Sequence, residues 1–564
     1  MRKLFTVLVL ASCLTAVVPM LGATEEEPKP FPDLARTIGL MLRSEYFDES
    51  RFHPVTMLKH GLRALESAEI SIDARLDNDE LLLRLGSHID QLPYSPPTTL
   101  EGTMRYFDRI RTVLERGDWS PQRRRELVYT MLNGALQTLD PHTLILPPKP
   151  ADDFAVSIKG EFFGIGAFLN SQDGIVKIER VMPGMPADIA DLRDGDLILR
   201  VDGERTVGLS LSQVVNRIKG PKNTTVVLNV EREGVDEPFD IPIVRDRVAF
   251  ITLRPYLHAG DIGYVRMDEF NRHTALDLFK ALRALEQQAG GELRGFVLDL
   301  RFNSGGLLEQ ARMISDFFLA HSKEIVRTVS SDGAEKKFHS SRTVYCDVPM
   351  AVIVGPGSAS AAEILSGSLQ LNDRAVVVGR TSFGKGSVQI IRTLMDDSHL
   401  KYTTQEYQLS GGASIQGHGV DPDIALWEHQ VLEDGRVDLL PYSNRSEGDD
   451  EFALLGHDTY QNEVAATLKW LRQYRSLEQM REHQLSNPDF TPDQQGQMVL
   501  ELVAQALQGD QVAEAGAEAF DLGESRQFLL QRLLDPVADR QEVESRQLAS
   551  ALAAAPEPVV WGAA

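Results

Sequence analysis

The chain has 564 residues, 42% hydrophobic and 25% charged, a globular composition that excludes a disordered or collagen-like polypeptide. That length exceeds one hydrophobic core, so three or four domains are expected. With 58 basic and 82 acidic side chains, the net charge of −24 opposes non-specific binding to nucleic acid or anionic lipid.

Met1-Arg2-Lys3 precedes an uncharged run from Leu4 to Thr24 and then three glutamates, the pattern of a secretory signal over residues 1–23. Ala23 is the cleavage position, although Leu21 is large for the third residue before the cut. Leu10-Ala11-Ser12-Cys13 also matches a lipoprotein box, and about 20 apolar residues could serve as an uncleaved anchor. All three readings export the body, and the periplasm is the expected compartment. Acidic, proline-rich residues 25–34 read as a linker. Residues 24–150 form a helical N-terminal region, with helical patterning from 35 to about 140. MLKHGLRALE (57–66) and MLNGALQTLD (131–140) share apolar positions, which amphipathic helices do by chance, so no duplication is inferred.

Residues 155–247 read as a small β domain: GIVKIERV, LILRVDG and TTVVLNVERE surround the helical LSLSQVVNRIKG (209–220). In Phe163-Gly164-Ile165-Gly166 the glycines leave amides open to an anion, because no side chain blocks approach. From 248 to 430 apolar strands (DIGYVRM, FVLDLRF, MAVIVG, AVVVGRT) alternate with helices at 274–288, 307–321 and 361–370, a layered α/β arrangement. Cys346 stands before a strand as a structural residue; once the leader is removed it has no disulfide partner. The chain has no His-Glu-x-x-His and no Cys-x-x-Cys, so no metal or other cofactor is expected. Residues 443–452 read as a linker. Helices at 461–484 and 495–508 then predict a helical C-terminal domain over 453–550, for oligomerisation or adaptor docking, and the last ten residues are expected to be mobile.

Two residues carry chemistry. Ser360 lies in GPGSASAAEI (355–364), and Lys385 lies in TSFGKGSVQ (381–389). A serine is a poor nucleophile unless a partner takes its proton. Lysine can take it once burial lowers its pKa from about 10.4 toward about 7–8. Lys385 has no acidic neighbour within seven positions before it or ten after, and Phe383, Val388, Ile390 and Ile391 supply apolar bulk. Taken singly, a Gly-Ser-Ala run also starts helices, and Gly-Lys-Gly also makes exposed turns.

In order, the chain carries LDPHT (139–143), EFFGIGAFL (161–169), RDGDLILRVDG (193–203), VLDLRFNSGGLL (297–308), GSASAAEI, TSFGKGSVQ and SIQGHGVDPDI (414–424). Over about residues 100–426 this resembles the carboxyl-terminal processing proteases, also called tail-specific proteases. The resemblance implies a multidomain α+β chain with a PDZ-like domain and a crotonase-like β/α protease core over 248–430, to which 100–154 contribute. It implies Ser360 as nucleophile, Lys385 as base, and Gln389 orienting the lysine amine. The amides of Gly306 and Ala361 would form the oxyanion hole. Phe163, Gly164, Ile165 and Gly166 would bind a substrate C-terminus. Ser358 is the other serine of the motif; alignment to the family favours Ser360. A triad of His142 and Asp140 is rejected, since only Pro141 separates them and the family keeps this motif structurally. Ala362 replaces a serine of many relatives. Leu371, with Asp373 nearby, stands where some carry an acid, and neither is given a role.

The resulting expectation is a secreted serine endopeptidase that cleaves partly unfolded or C-terminally tagged envelope proteins, gated by its PDZ domain. The resemblance adds homo-oligomerisation, to which the N-terminal region contributes, and a helical-repeat lipoprotein adaptor. Two rivals remain: a catalytically silent PDZ scaffold, and a crotonase-like enzyme for acyl thioesters.

Overall fold

The computed structural model describes residues 33–554, apart from 78, 173–174, 342–343, 432–436, 439–445, 455, 457–459, 473–489 and 509–523. The expected leader, Cys13, nearly all of the first linker and the last ten residues lie outside the described residues.

The N-terminal region begins with α1 (Leu34–Glu45) and α2 (Pro54–Ala68). The helical expectation then fails. Residues 72–93 form an antiparallel sheet of β1 (Ile72–Asp77), β2 (Glu80–Leu85) and β3 (His88–Pro93). Along β2, Leu81, Leu83 and Leu85 are buried, a period of two that a helix would scatter around its circumference. α3 (Leu100–Leu114) and α4 (Pro121–Leu136) follow, capped by Thr99 and Ser120 through their side-chain oxygens. α2 and α4 cross closely: a Cβ on Gly134 would stand 2.4 Å from the Ala64 methyl.

β4 (Leu144–Leu146), α5 (Pro148–Lys159) and β5 (Glu161–Gly164) lead into a β domain. It comprises β6 (Ala167–Gln172), β7 (Ile175–Val181), α6 (Pro186–Ile189), β8 (Leu197–Val201), β9 (Glu204–Arg205), α7 (Leu211–Ile218), β10 (Thr225–Glu231) and β11 (Phe239–Val244). The sheet runs β11-β10-β8-β7-β6, which leaves β6 at its edge. Ile178, Ile198, Val214 and Leu228 fill its core. β12 (Asp246–Ala249) pairs with β5 and carries the chain back out.

The chain then carries β13 (Leu253–His258), β14 (Ile262–Met267), α8 (Thr274–Ala289), β15 (Gly295–Asp299), α9 (Leu308–Phe318), β16 (Glu324–Ser330), β17 (Glu335–His339), β18 (Met350–Val354), α10 (Ala361–Leu371), β19 (Ala375–Gly379), β20 (Ser387–Thr393), β21 (His399–Leu409), β22 (Ile424–Val431) and β23 (Val437–Asp438); β16, β17, β20 and β21 form a sheet of their own, and the other strands belong to the largest sheet. The order is β13-β14-β15-β18-β19-β22-β23, parallel from β14 to β22. Every residue of β15, β18 and β19 is buried, as a parallel sheet covered on both faces requires. α8, α9 and α10 cover one face. The smaller sheet, β17-β16-β21-β20, also takes up β4, so Leu394, Leu400 and Tyr402 join the N-terminal core.

The C-terminal region departs from expectation. Ala466–Arg472, expected as helix within 461–484, is a strand, β24, parallel to β22. Leu468 and Trp470 are buried while Thr467 and Lys469 are exposed, so pairing with an existing edge overrides the helical pattern. Residues 473–484 of that prediction lie outside the described residues. α11 (Gln494–Ala506) agrees with the predicted 495–508 helix, and α12 (Ser525–Ala554) follows. Val499, Leu500, Val503, Leu529 and Leu533 pack with Val297, Ile353 and Val376 of the central sheet. These helices are the second cover of that sheet, not a separate helical body. The expected 443–452 linker is also corrected over 446–452, where Glu447 is fully buried.

Candidate active site

β18 ends in a turn that holds two serines differently. Ser358 is fully buried; its hydroxyl donates to Leu300 O at 2.8 Å and accepts from Gly355 N at 3.0 Å. Ser360 is partly exposed and opens α10 with φ +55° and ψ −115°, a conformation that non-glycine residues rarely adopt. The first-turn amides of α10 have no partner within the helix and carry partial positive charge.

The strand end after β15 meets this turn. Asn303 Oδ1 accepts from Gly305 N at 2.9 Å, and Asn303 O accepts from Ala359 N at 3.0 Å. Gly305 and Gly306 have φ of +105° and +136°. A Cβ on Gly305 would lie 2.8 Å from Ser360 Cβ and 3.2 Å from Ala361 N; one on Gly306 would lie 2.2 Å from Phe270 O. Only glycine brings this backbone so close to the serine. Gly306 is itself exposed.

Lys385 lies in the loop between β19 and β20, tied to the serine turn by Phe383 N donating to Ser358 O at 3.0 Å. Burial lowers its amine to about 8, and Lys401 pushes the same way; Glu447, Asp140 and Glu363 oppose. The acid-free sequence neighbourhood is therefore not acid-free in space, yet burial wins. Ile391, expected as apolar bulk, is 38% exposed, because β20 runs out to the surface over its last three residues, Ile391 to Thr393.

Sequence reasoning missed Glu363. Its buried carboxylate accepts from Ser382 Oγ and Gly384 N through Oε1, both at 2.6 Å. Oε2 accepts from Ser360 N at 2.7 Å and Lys385 N at 2.9 Å. One side chain thus staples the serine turn to the lysine loop, and burial pushes its carboxyl up to about 7 against these four donors. The acid in the first turn of a predicted helix was the only signal, and it reads as ordinary capping. Tyr407, also missed, is buried; its phenol donates to Lys385 O and stands beside the Ser360 side chain.

Gln389 is in β20, beyond the loop that holds Lys385. Its Nε2 donates to Ser387 Oγ at 2.9 Å and Thr403 Oγ1 at 3.2 Å. His142 turns its Nε2 to Glu447 at 2.9 Å, while Asp140 accepts from Tyr46, Thr143 and the His142 amide. Neither faces Ser360 through a hydrogen bond.

In the β domain, Gly164, Ile165 and Gly166 are buried and Phe163 is 39% exposed. Ile165 O and Gly166 O accept from Ala187 N and Met182 N, which fixes the loop beside the edge strand β6. Gly166 has φ +76°, and a Cβ there would strike the Met185 Cβ at 2.3 Å. Cys346 is buried and free, its thiol pushed up to about 11 by burial. Among the described residues no cluster could hold a metal ion.

Residues 261–426 match peptidase family S41, and residues 177–232 match a PDZ domain. A carboxy-terminal-processing protease of Bartonella bacilliformis is 37% identical over 304 residues, 54% of this chain and 70% of the relative. A carboxyl-terminal-processing protease of Synechocystis is 35% identical, covering 54% of this chain and 72% of the relative. Among solved structures, the photosystem II D1 C-terminal processing protease is 25% identical, with a TM-score of 0.33, covering 66% of this chain and 92% of that one.

Proposed function

The chain belongs to the carboxy-terminal processing proteases, serine-type peptidases of family S41 with a PDZ domain, and we propose that it is an endopeptidase in which Ser360 attacks the scissile carbonyl and Lys385 takes its proton. The observation that carries this reading is the convergence of three elements on one point. Ser360 stands at the N-terminus of α10, Gly305 abuts it, and Glu363 binds both its amide and that of Lys385. An amine lowered to about 8 is neutral often enough near neutral pH to accept the serine proton. The amides of Gly306 and Ala361 would then receive the charge that develops on the carbonyl oxygen. Gln389, whose Nε2 is held by Ser387 and Thr403, would orient the Lys385 amine through its oxygen.

Substrates are unfolded or C-terminally tagged protein chains of the cell envelope. Their terminal carboxylate is received at Phe163 to Gly166, and the residues preceding it add as a strand to the edge of β6. PDZ occupancy gates the core, which we take as crotonase-like. Export to the periplasm through residues 1–23, lipidation at Cys13, homo-oligomerisation and a helical-repeat adaptor complete the proposal. The direct test is a fluorophosphonate probe followed by peptide mapping. The label is expected on Ser360 and nowhere on Ser358; labelling of Ser358, or of Ser360→Ala protein, contradicts the reading.

A further inference from the structure

We propose that Glu447 is a positioning residue for Lys385, and that the segment 446–454 carrying it is a brace built against the lysine loop. The inference rests on Lys385 being the base. The brace lies beyond the 261–426 match.

Its contacts fall on both sides of Lys385. Glu447 N donates to Phe383 O at 2.8 Å. The Glu447 carboxylate accepts from Gln416 Nε2 at 2.7 Å, and Gln416 Oε1 accepts from Gly386 N at 2.8 Å. Gly417 N donates to Gly384 O at 2.7 Å, and Gly448 packs so tightly that a Cβ would lie 2.6 Å from Gly417 O. Residues 383, 384 and 386 are thus each held, directly or through one side chain, by the brace or by the 416–417 turn it seats. The far side is anchored too. His142 Nε2 meets Glu447 Oε2 at 2.9 Å, and Gln416 Nε2 donates to Leu454 O at 3.0 Å. Arg51 Nη2 donates to Phe452 O at 2.7 Å, and its Nη1 reaches Ala453 O at 3.3 Å.

Geometry gives Glu447 a second action, through charge. A fully buried carboxylate this close to the loop favours the protonated amine, with Asp140 from the LDPHT turn and Glu363 from α10 acting alike, and Lys401 of β21 acting against. The only titratable side chain hydrogen-bonded to Glu447 among the described residues is His142. Glutamine at 447 keeps the shape of the brace: its oxygen accepts from Gln416 and its amide donates to the other His142 tautomer.

The test uses the full chain as parent, Glu447→Gln, Glu447→Ala and Lys385→Ala. The rate of Ser360 labelling by a fluorophosphonate is followed from about pH 6 to pH 10, with thermal unfolding as a folding control. Loss of a carboxylate lowers the amine pKa, so in Glu447→Gln the rising limb moves to lower pH by about half a unit or more. Glu447→Ala is expected to lose about tenfold or more in plateau rate and to become susceptible to subtilisin within 446–454. A Glu447→Gln profile that superimposes on the parent overturns the proposal, whether or not Glu447→Ala is impaired, because plain packing would not move the limb. If Glu447→Ala fails to fold, Glu447→Gln alone decides. Lys385→Ala separates the two levels. Labelling retained there sinks the base assignment itself; labelling lost there beside an unmoved Glu447→Gln limb sinks only the brace.

Discussion

The meeting of the Ser360 turn and the Lys385 loop was legible because small residues and glycines surround both. A glycine pair at positive φ, a small-residue turn and a glycine-framed lysine leave few alternatives to a close backbone approach. The partners that hold the lysine loop were not legible, since Glu363, Tyr407 and Glu447 lie 22, 22 and 62 positions from Lys385. Gly305→Ala should cut kcat by about 100-fold or more, because its Cβ lands on Ser360 Cβ while the chain adopts φ +105°; parental turnover in a correctly folded variant would refute the close approach. As the proposed base, Lys385 would work only when neutral, and burial lowers its pKa to about 8, so kcat/KM should climb as pH rises toward and past that value. Lys385→Arg keeps the charge at every pH and should be inert. A flat profile from pH 6 to pH 9 would remove lysine as the base.

At the level of elements, Glu363 joins α10 to the β19–β20 loop. Glu363→Gln turns an NH2 group toward at least one pair of donors and leaves buried amides unsatisfied. It should cost roughly 1–3 kcal/mol, visible as a lower Tm, along with most of the activity. An unchanged Tm would argue that the carboxylate is not the staple described. The linkage sign for this group is fixed by its raised pKa. Stability contributed by its protonated form is present below about 4.5 and lost as pH rises toward about 7. Strands and helices of the central sheet were readable from apolar runs and helical periods. β1 to β3 and β24 were not. Leucine-rich segments with charged residues between them satisfy either period loosely, and the choice is made by the edge or core they meet. The C-terminal helices show the same lesson: 495–508 was readable as a helix, but its role as a cover for the parallel sheet was not. Truncation after residue 489 should therefore give aggregated protein, since it bares Val297, Ile353 and Val376. A soluble, cooperative truncated chain would instead support a detachable domain.

For the whole molecule, the β domain, the core and the N-terminal helices are tied through short pairings. β5 pairs with β12, and β4 extends the sheet that begins just after Lys385. Phe163 and Gly164, proposed to receive a substrate carboxylate, are themselves paired with Arg247 and Asp246 of β12. Blocking a peptide substrate with a C-terminal amide should slow its cleavage by about tenfold or more, and equal rates for acid and amide would detach the β domain from substrate selection. The most direct test of the central claim is the cleavage of an unstructured protein such as casein by parent, Ser360→Ala and Lys385→Ala chains, each checked for folding. The account predicts cleavage by the parent and none by either variant; persistent cleavage in both would contradict it.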